Sequence, residues 1–145
     1  MAVAGNKQIT GSFGQLYLNG TLMADVSSIE AKSTINRETV QMAGSLDEDS
    51  KITSISSEGS FVVKKIYSRE IDFINAFKEG KDERFSLYVV LDDPDAFGRE
   101  STRIDNCWLN EVTVAQFEVG SILEREFPFG YTLNSVEQQE SIPVQ

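Results

Sequence analysis

The sequence predicts a mainly β protein: an antiparallel β-sandwich or barrel with one flanking α-helix and a long projecting β-hairpin. Three observations carry this. Polar and apolar residues alternate along much of the chain, which is the period of a half-buried strand. Two unusually long extended runs are separated by one short acidic stretch. Only one segment, about residues 69–79, repeats its apolar residues at spacings of three and four. With 145 residues and 40% hydrophobic composition, the chain has enough for one domain with a real core.

Residues 1–13 read as an N-terminal arm. Gly14–Leu18 then runs into Asn19-Gly20 and Thr21-Leu22-Met23. Asn-Gly between two apolar runs signals a tight hairpin, because both residues tolerate positive φ. From about Ala24 to Gln41 the chain reads as extended. Ser27, Ile29, Ala31, Ser33 and Ile35 mark one face, and Ser28, Glu30, Lys32, Thr34 and Asn36 the other. Residues 43–51 are small, polar and acidic and read as a loop. A second extended run, Ile52 to Tyr67, completes a hairpin whose tip spans about 42–52. Its strands exceed the usual length of about 5–6 residues, so it should project beyond its own core.

A helix is expected over about Arg69–Glu79, with Ser68 as N-cap and Gly80 closing the end. Ile71, Phe73, Ile74 and Phe77 share one side. Glu70 and Asp72 in the first turn and Lys78 in the last suit the helix dipole. Strands resume at Phe85–Leu91 and continue through Ser101–Leu109, Glu111–Val119 and Ile122–Leu133. In the last, Leu123, Arg125, Phe127, Phe129 and Tyr131 face one way and Glu124 and Glu126 the other. Pro128 implies an edge or a bulge. Residues 135–145 read as a flexible C-terminal arm.

Composition narrows the function. Lys and Arg number 13 against 23 Asp and Glu, for a net charge of −10. A protein that grips phosphates needs the opposite balance. Histidine is absent, which removes the usual general base, the commonest zinc ligand and His-dependent triads. The one cysteine, Cys107, excludes an intrachain disulfide and fits a reducing cytosol. Its strand-like context reads as a small core residue. Neither a signal-peptide core nor a membrane-spanning run is visible, so a soluble chain is expected.

Asp93-Pro94-Asp95-Ala96-Phe97-Gly98 starts like a calcium loop. Phe97 stands at a ligand position, however, and Ile104 where the bidentate acid belongs, so it reads as an acidic turn. Asp47-Glu48-Asp49 read as solvated acids. Glu124 and Glu126 project from one side of a strand; two carboxylates can hydrolyse a glycoside across a cleft, but nothing suggests a cleft. Gly11-Ser12-Phe13-Gly14 lacks the Gly-Lys-Ser/Thr of a phosphate loop. No catalytic residue, cofactor or metal ligand is expected, and no enzyme. What remains is architectural: exposed strand edges need a cover, and identical neighbours pairing into a closed ring supply one.

Several stretches are similar to one family in order and spacing. They are Lys7–Gly14, then Tyr17-Leu18-Asn19-Gly20, the Ala24-Asp25-Val26 start, Ile29-Glu30-Ala31-Lys32, the acidic hairpin tip, and Glu124-Arg125-Glu126-Phe127-Pro128-Phe129-Gly130-Tyr131. Over essentially its whole length the chain resembles the tail tube proteins of contractile-tailed phages, of the PBSX-type prophage family. The resemblance implies a fold shared with secretion tubes. It implies hexameric rings whose sheets join into an inner β-barrel and which stack into a tube inside the sheath. The implied partners are further copies of the chain, a tail sheath protein, a tape measure protein and a baseplate tube-initiator. It implies that DNA passes through without specific binding and that no membrane is involved. The implied location is a virion tail or phage-like particle assembled in the bacterial host cytoplasm.

On this reading Glu30, Glu111, Glu118, Glu124 and Glu126 are the lumen candidates, because carboxylates repel passing phosphate. Leu46, Asp47, Glu48, Asp49 and Lys51 are the ring-stacking candidates. Arg69, Glu70, Lys78 and Glu79 are candidates for a sheath-facing helix side. Two other readings stand beside it: the tube of a DNA-free contractile bacteriocin or secretion-like particle, and a ligand-binding β-barrel.

Overall fold

A computed structural model describes residues 2–144. β1 (Gly14–Leu18) and β2 (Thr21–Leu22) form the first hairpin. Asn19 and Gly20 between them both have positive φ, 51° and 87°, so Tyr17 lies opposite Leu22 as the Asn-Gly signal predicts. β3 (Val26–Gln41) and β4 (Glu48–Lys64) form the long hairpin, and α1 (Glu70–Lys78) follows. β5 (Phe85–Leu91), β6 (Glu100–Leu109), β7 (Glu124–Gly130) and β8 (Val136–Glu140) complete the strands. The order is β2-β1-β5-β6-β7-β4-β3, with β8 on β6.

β6 belongs to both halves of this sheet. Its first part pairs with β5 and β8, while Trp108 and Leu109 at its end pair with β7. Between them Asn106 takes a φ of 58°, where the β5–β6 register shifts. That bulge turns β6 and folds one half of the sheet over the other. The enclosed core holds Leu16, Phe61, Phe85, Leu87, Phe127 and Phe129. Phe61 stacks on Phe127 at 5.0 Å, and α1 adds Phe73, edge-on to Phe85 at 5.7 Å. β7 alternates as expected: Arg125, Phe127 and Phe129 point in, and Glu124 and Glu126 point out. A side chain at Gly59 would collide with the β3 backbone at Glu30 and Ala31 and with the Phe129 ring, so strand contact there requires glycine.

Four expectations need correction. β4 begins at Glu48, so Glu48, Asp49 and Lys51 belong to a strand and the tip is shorter than 42–52. Their polar composition suggested a loop, but a ladder is made by backbone groups and tolerates polar side chains on an exposed ribbon. Glu111–Val119 is not a strand: no sheet partner reaches it, and residues 111–123 form a connection from β6 to β7. The C-terminal arm is ordered as β8 through Glu140, where Arg99 Nε meets Glu140 at 3.2 Å. Ser68 makes no side-chain cap; Arg69 occupies the N-cap, while Gly80 closes the helix at φ 76° as expected.

The N-terminal arm packs on the acidic turn. Asp93, buried, accepts the Thr10 N–H at 3.0 Å with one oxygen and the Asp95 N–H at 2.9 Å with the other. The Lys7 ammonium lies over the Phe97 ring at 5.3 Å. That turn is thus a latch for the arm, and among the described residues no cluster of three or more acidic or cysteine side chains could hold a metal ion.

Candidate functional site

The outer face of the β3–β4–β7 layer is strongly polar. Antiparallel register places Glu30 opposite Ser60, Lys32 opposite Glu58, Glu126 opposite Val62 and Glu124 opposite Lys64. Side chains two apart on a strand share a face, and these all point away from the aromatic core. Glu30, Lys32, Glu58, Glu126 and Pro128 border one shallow depression. Farther out on the same face, Asn36 Nδ2 donates to Ser54 Oγ and Ser56 Oγ, each at 3.0 Å. The face thus carries Glu30, Glu58, Glu124 and Glu126 against Lys32 and Lys64.

Three lumen candidates, Glu30, Glu124 and Glu126, therefore come together. Glu111 and Glu118 do not; both are exposed on the β6–β7 connection. Glu58 was absent from the candidates, although the polar alternation of Ser54, Ser56, Glu58 and Ser60 carries its signal.

β7 pairs with β4 only over Glu58–Lys64, and every β4 residue from Glu48 to Ser56 is exposed. The outer hairpin is thus a bare two-stranded ribbon. From root to tip β3 runs 16 residues, about 50 Å at ~3.3 Å per residue. Ile35, Ile52 and Ile55 on the ribbon are 41%, 49% and 46% exposed. At the tip Leu46 is fully in solvent, with Asp47, Glu48 and Asp49 beside it, while Lys51 stands opposite Glu38. Arg37 Nη1 donates to Ser50 Oγ at 3.4 Å.

The helix differs from its expected role. Arg69 and Glu70 do not face outward. Arg69 grips Asp25 with two hydrogen bonds, 2.8 Å from Nε and 2.7 Å from Nη2. Asp25 is 2% exposed, and the Arg69 bonds hold its carboxyl below the ordinary range against the effect of burial. Glu70, also buried, accepts from Lys65 Nζ at 2.6 Å and faces Arg125 Nε at 4.0 Å. Burial works to raise the Glu70 carboxyl, but the Lys65 bond, a backbone bond and the two cationic charges together hold it low. These pairs pin the helix start to the sheet. Lys78 and Glu79 are exposed as expected, and Ile71, 50% exposed, stands on the outer side with them.

Nothing in the arrangement offers catalysis. Cys107 is buried, and burial, helped by the Asp105 charge, pushes its thiol up to about 12, so it does not ionise as a nucleophile near neutrality. No helix among the described residues is long and apolar enough to cross a membrane.

Comparison with known proteins fits this architecture. The phage-like element PBSX protein XkdM of Bacillus subtilis strain 168 is 30% identical over 135 residues, covering 90% of this chain and 91% of its own. The YqbM protein of the same strain is 30% identical over 143 residues, covering 96% and 97%. Among solved structures, the sheath-tube complex of an extracellular contractile injection system contains a chain that superposes with a TM-score of 0.72 at 11% identity, covering 92% of this chain and 93% of that one. A chain from the tail of an empty GTA particle, refined with C6 symmetry, gives 0.54 at 12% identity over 96% and 100%. The family model described as phage tail tube protein matches residues 1–137. A long bare hairpin, open strand edges and a site without catalytic chemistry are what a polymerising structural subunit requires, and the chain belongs to the phage tail tube protein family.

Proposed function

We propose that copies of this chain join through their open strand edges into sixfold rings, and that the rings stack into the inner tube of a contractile tail. The polar outer face of the β3–β4–β7 layer lines the bore. The observation that carries this is the pair of unpaired edges on one layer. Among the described residues β3 has only β4 as a neighbour, and β7 has β6 only at its last two residues. Edges left open on both sides favour continuation into another copy. C6 symmetry in a related tail supports the ring number.

Four carboxylates against two ammonium groups on the proposed bore wall give a surface on which DNA phosphates find repulsion and few ion pairs to break. The same reading makes the tape measure protein the bore's occupant during assembly. Glu111 and Glu118 sit at the joint between copies. The hairpin tip, with Leu46, Asp47, Glu48, Asp49 and Lys51, reaches the next ring, and each exposed ion pair there contributes only about 0–1 kcal/mol, so repetition around the ring supplies the strength. Lys78 and Glu79 on α1 face the sheath, and the bottom ring docks on a baseplate initiator. Such a particle is a virion tail built in the bacterial cytoplasm. Likeness to an extracellular contractile injection system supports a DNA-free contractile particle as a second reading with the same subunit geometry.

Negative-stain microscopy of concentrated protein tests the proposal. Hollow tubes or rings with sixfold end views are expected. A chain that stays monomeric in size-exclusion chromatography at high concentration, and also when seeded with tube fragments, contradicts it.

A further inference from the structure

Two features of this chain have no partner among the described residues. The first is the connection 111–123. Val114, Phe117, Val119 and Ile122 on it are 73%, 78%, 90% and 94% exposed. Its backbone is nonetheless anchored, because Arg125 Nη2 donates to the Gln116 carbonyl at 2.8 Å and Arg125 itself is 6% exposed. Apolar side chains held out from a fixed backbone mark an interaction surface. The second feature is a groove along the seam between the open edge of β3 and the β1–β5 pair. Leu16, Val26, Ile29, Val89 and Leu91 line it, with glycine, serine and one glutamine between them. No charged residue lines it, in a chain where 25% of residues are charged.

The two features lie at opposite edges of the same three strands. The connection leads directly into β7, whose flank is open from Glu124, and the groove follows the open edge of β3. Distinct, complementary surfaces at opposite edges give a head-to-tail contact, the kind that closes into a ring. We propose that the connection of one copy seats Phe117 and Ile122 in the Leu16–Val26–Ile29–Val89–Leu91 groove of the next copy in the ring. This rests on the ring reading above and adds the apolar lock that secures each joint between open strand edges. Both side chains lie in solvent in the single chain, so their removal from water is left to association.

The test uses the full chain in two forms. Phe117→Glu/Ile122→Glu should leave the circular dichroism of the monomer unchanged, because both sites are exposed, while sedimentable polymer falls more than about tenfold, since the groove would have to bury carboxylates. Phe117→Cys/Ser28→Cys, assembled and treated with a short bismaleimide, should give a ladder of covalent oligomers. Lys78→Cys/Ser28→Cys should give none, and buried Cys107 stays unreactive in both. Wild-type yields of tube from the glutamate variant, or tubes of the cysteine variant without a ladder, overturn the contact and leave the ring reading intact. Failure of the unmodified chain to form rings or tubes overturns both.

Discussion

The root and the outer half of the β3–β4 hairpin share one backbone ladder and differ in what the ladder is packed against. At the root, Phe61 and Val63 are buried, Phe61 against the rings of Phe127 and Phe129, β7 adds a third strand, and Gly59 lets β3 and β4 approach closely. Beyond Ser57 no third strand pairs among the described residues, and every β4 residue is exposed. Between the two lies a polar junction, where Ser33 Oγ and Ser57 Oγ hydrogen-bond at 2.8 Å and Tyr131 Oη joins at 3.3 Å. An isolated two-stranded ribbon is marginal in water. The root is therefore built for folding, and the outer half is, on the proposed reading, left for contacts with other copies.

The largest effects belong to the root. Gly59→Ala forces a Cβ into the β3 backbone and should cost more than about 4 kcal/mol, read as loss of the folded baseline in urea titration. Phe61→Ala should cost about 3–5 kcal/mol. Ile55→Ala, six residues away on the same strand, should cost less than about 1 kcal/mol, because its side chain is already half in water. Equal losses at the two sites would erase the distinction.

The ion pairs behind the root come next. Asp25→Asn keeps the shape but removes the charge facing Arg69, and should cost about 2–4 kcal/mol at neutral pH. The Asp25 carboxyl is depressed in the folded chain. Its stabilisation is therefore complete above the unfolded carboxylate pKa of about 4 and is lost as pH falls through the folded value. The gap in Tm between wild type and Asp25→Asn should be constant above about pH 5 and close below about pH 4. A gap that widens on acidification contradicts the assignment.

Much of this division was legible in the sequence. Asn19-Gly20 marked the first hairpin, the alternation of Phe127 and Phe129 with Glu124 and Glu126 marked β7, and the long polar runs marked a projecting hairpin. What escaped depended on partners distant in sequence. Arg69 and Glu70 looked like an outward polar face because Asp25 lies 44 residues away and Arg125 is as remote on β7. Glu111–Val119 alternates like a strand, yet it pairs with no strand among the described residues. β8 is polar enough to resemble a tail, and is ordered by hydrogen bonds such as Thr102 Oγ1 to Gln138 Oε1 at 3.0 Å. Three of five proposed bore acids converged because strand parity alone sets their face; the other two lie where that parity has no sheet to refer to.

The smallest effect on folding is expected at the tip, and there the account is most exposed. Deleting residues 45–50 removes Leu46 and the acidic cluster, none of which touches the core. The shortened chain should keep the wild-type far-ultraviolet spectrum and a Tm within about 2 °C, while forming no tubes by negative-stain microscopy under conditions where the intact chain does. Tubes of normal length from the deleted chain would contradict the claim that the outer hairpin exists for contacts between rings.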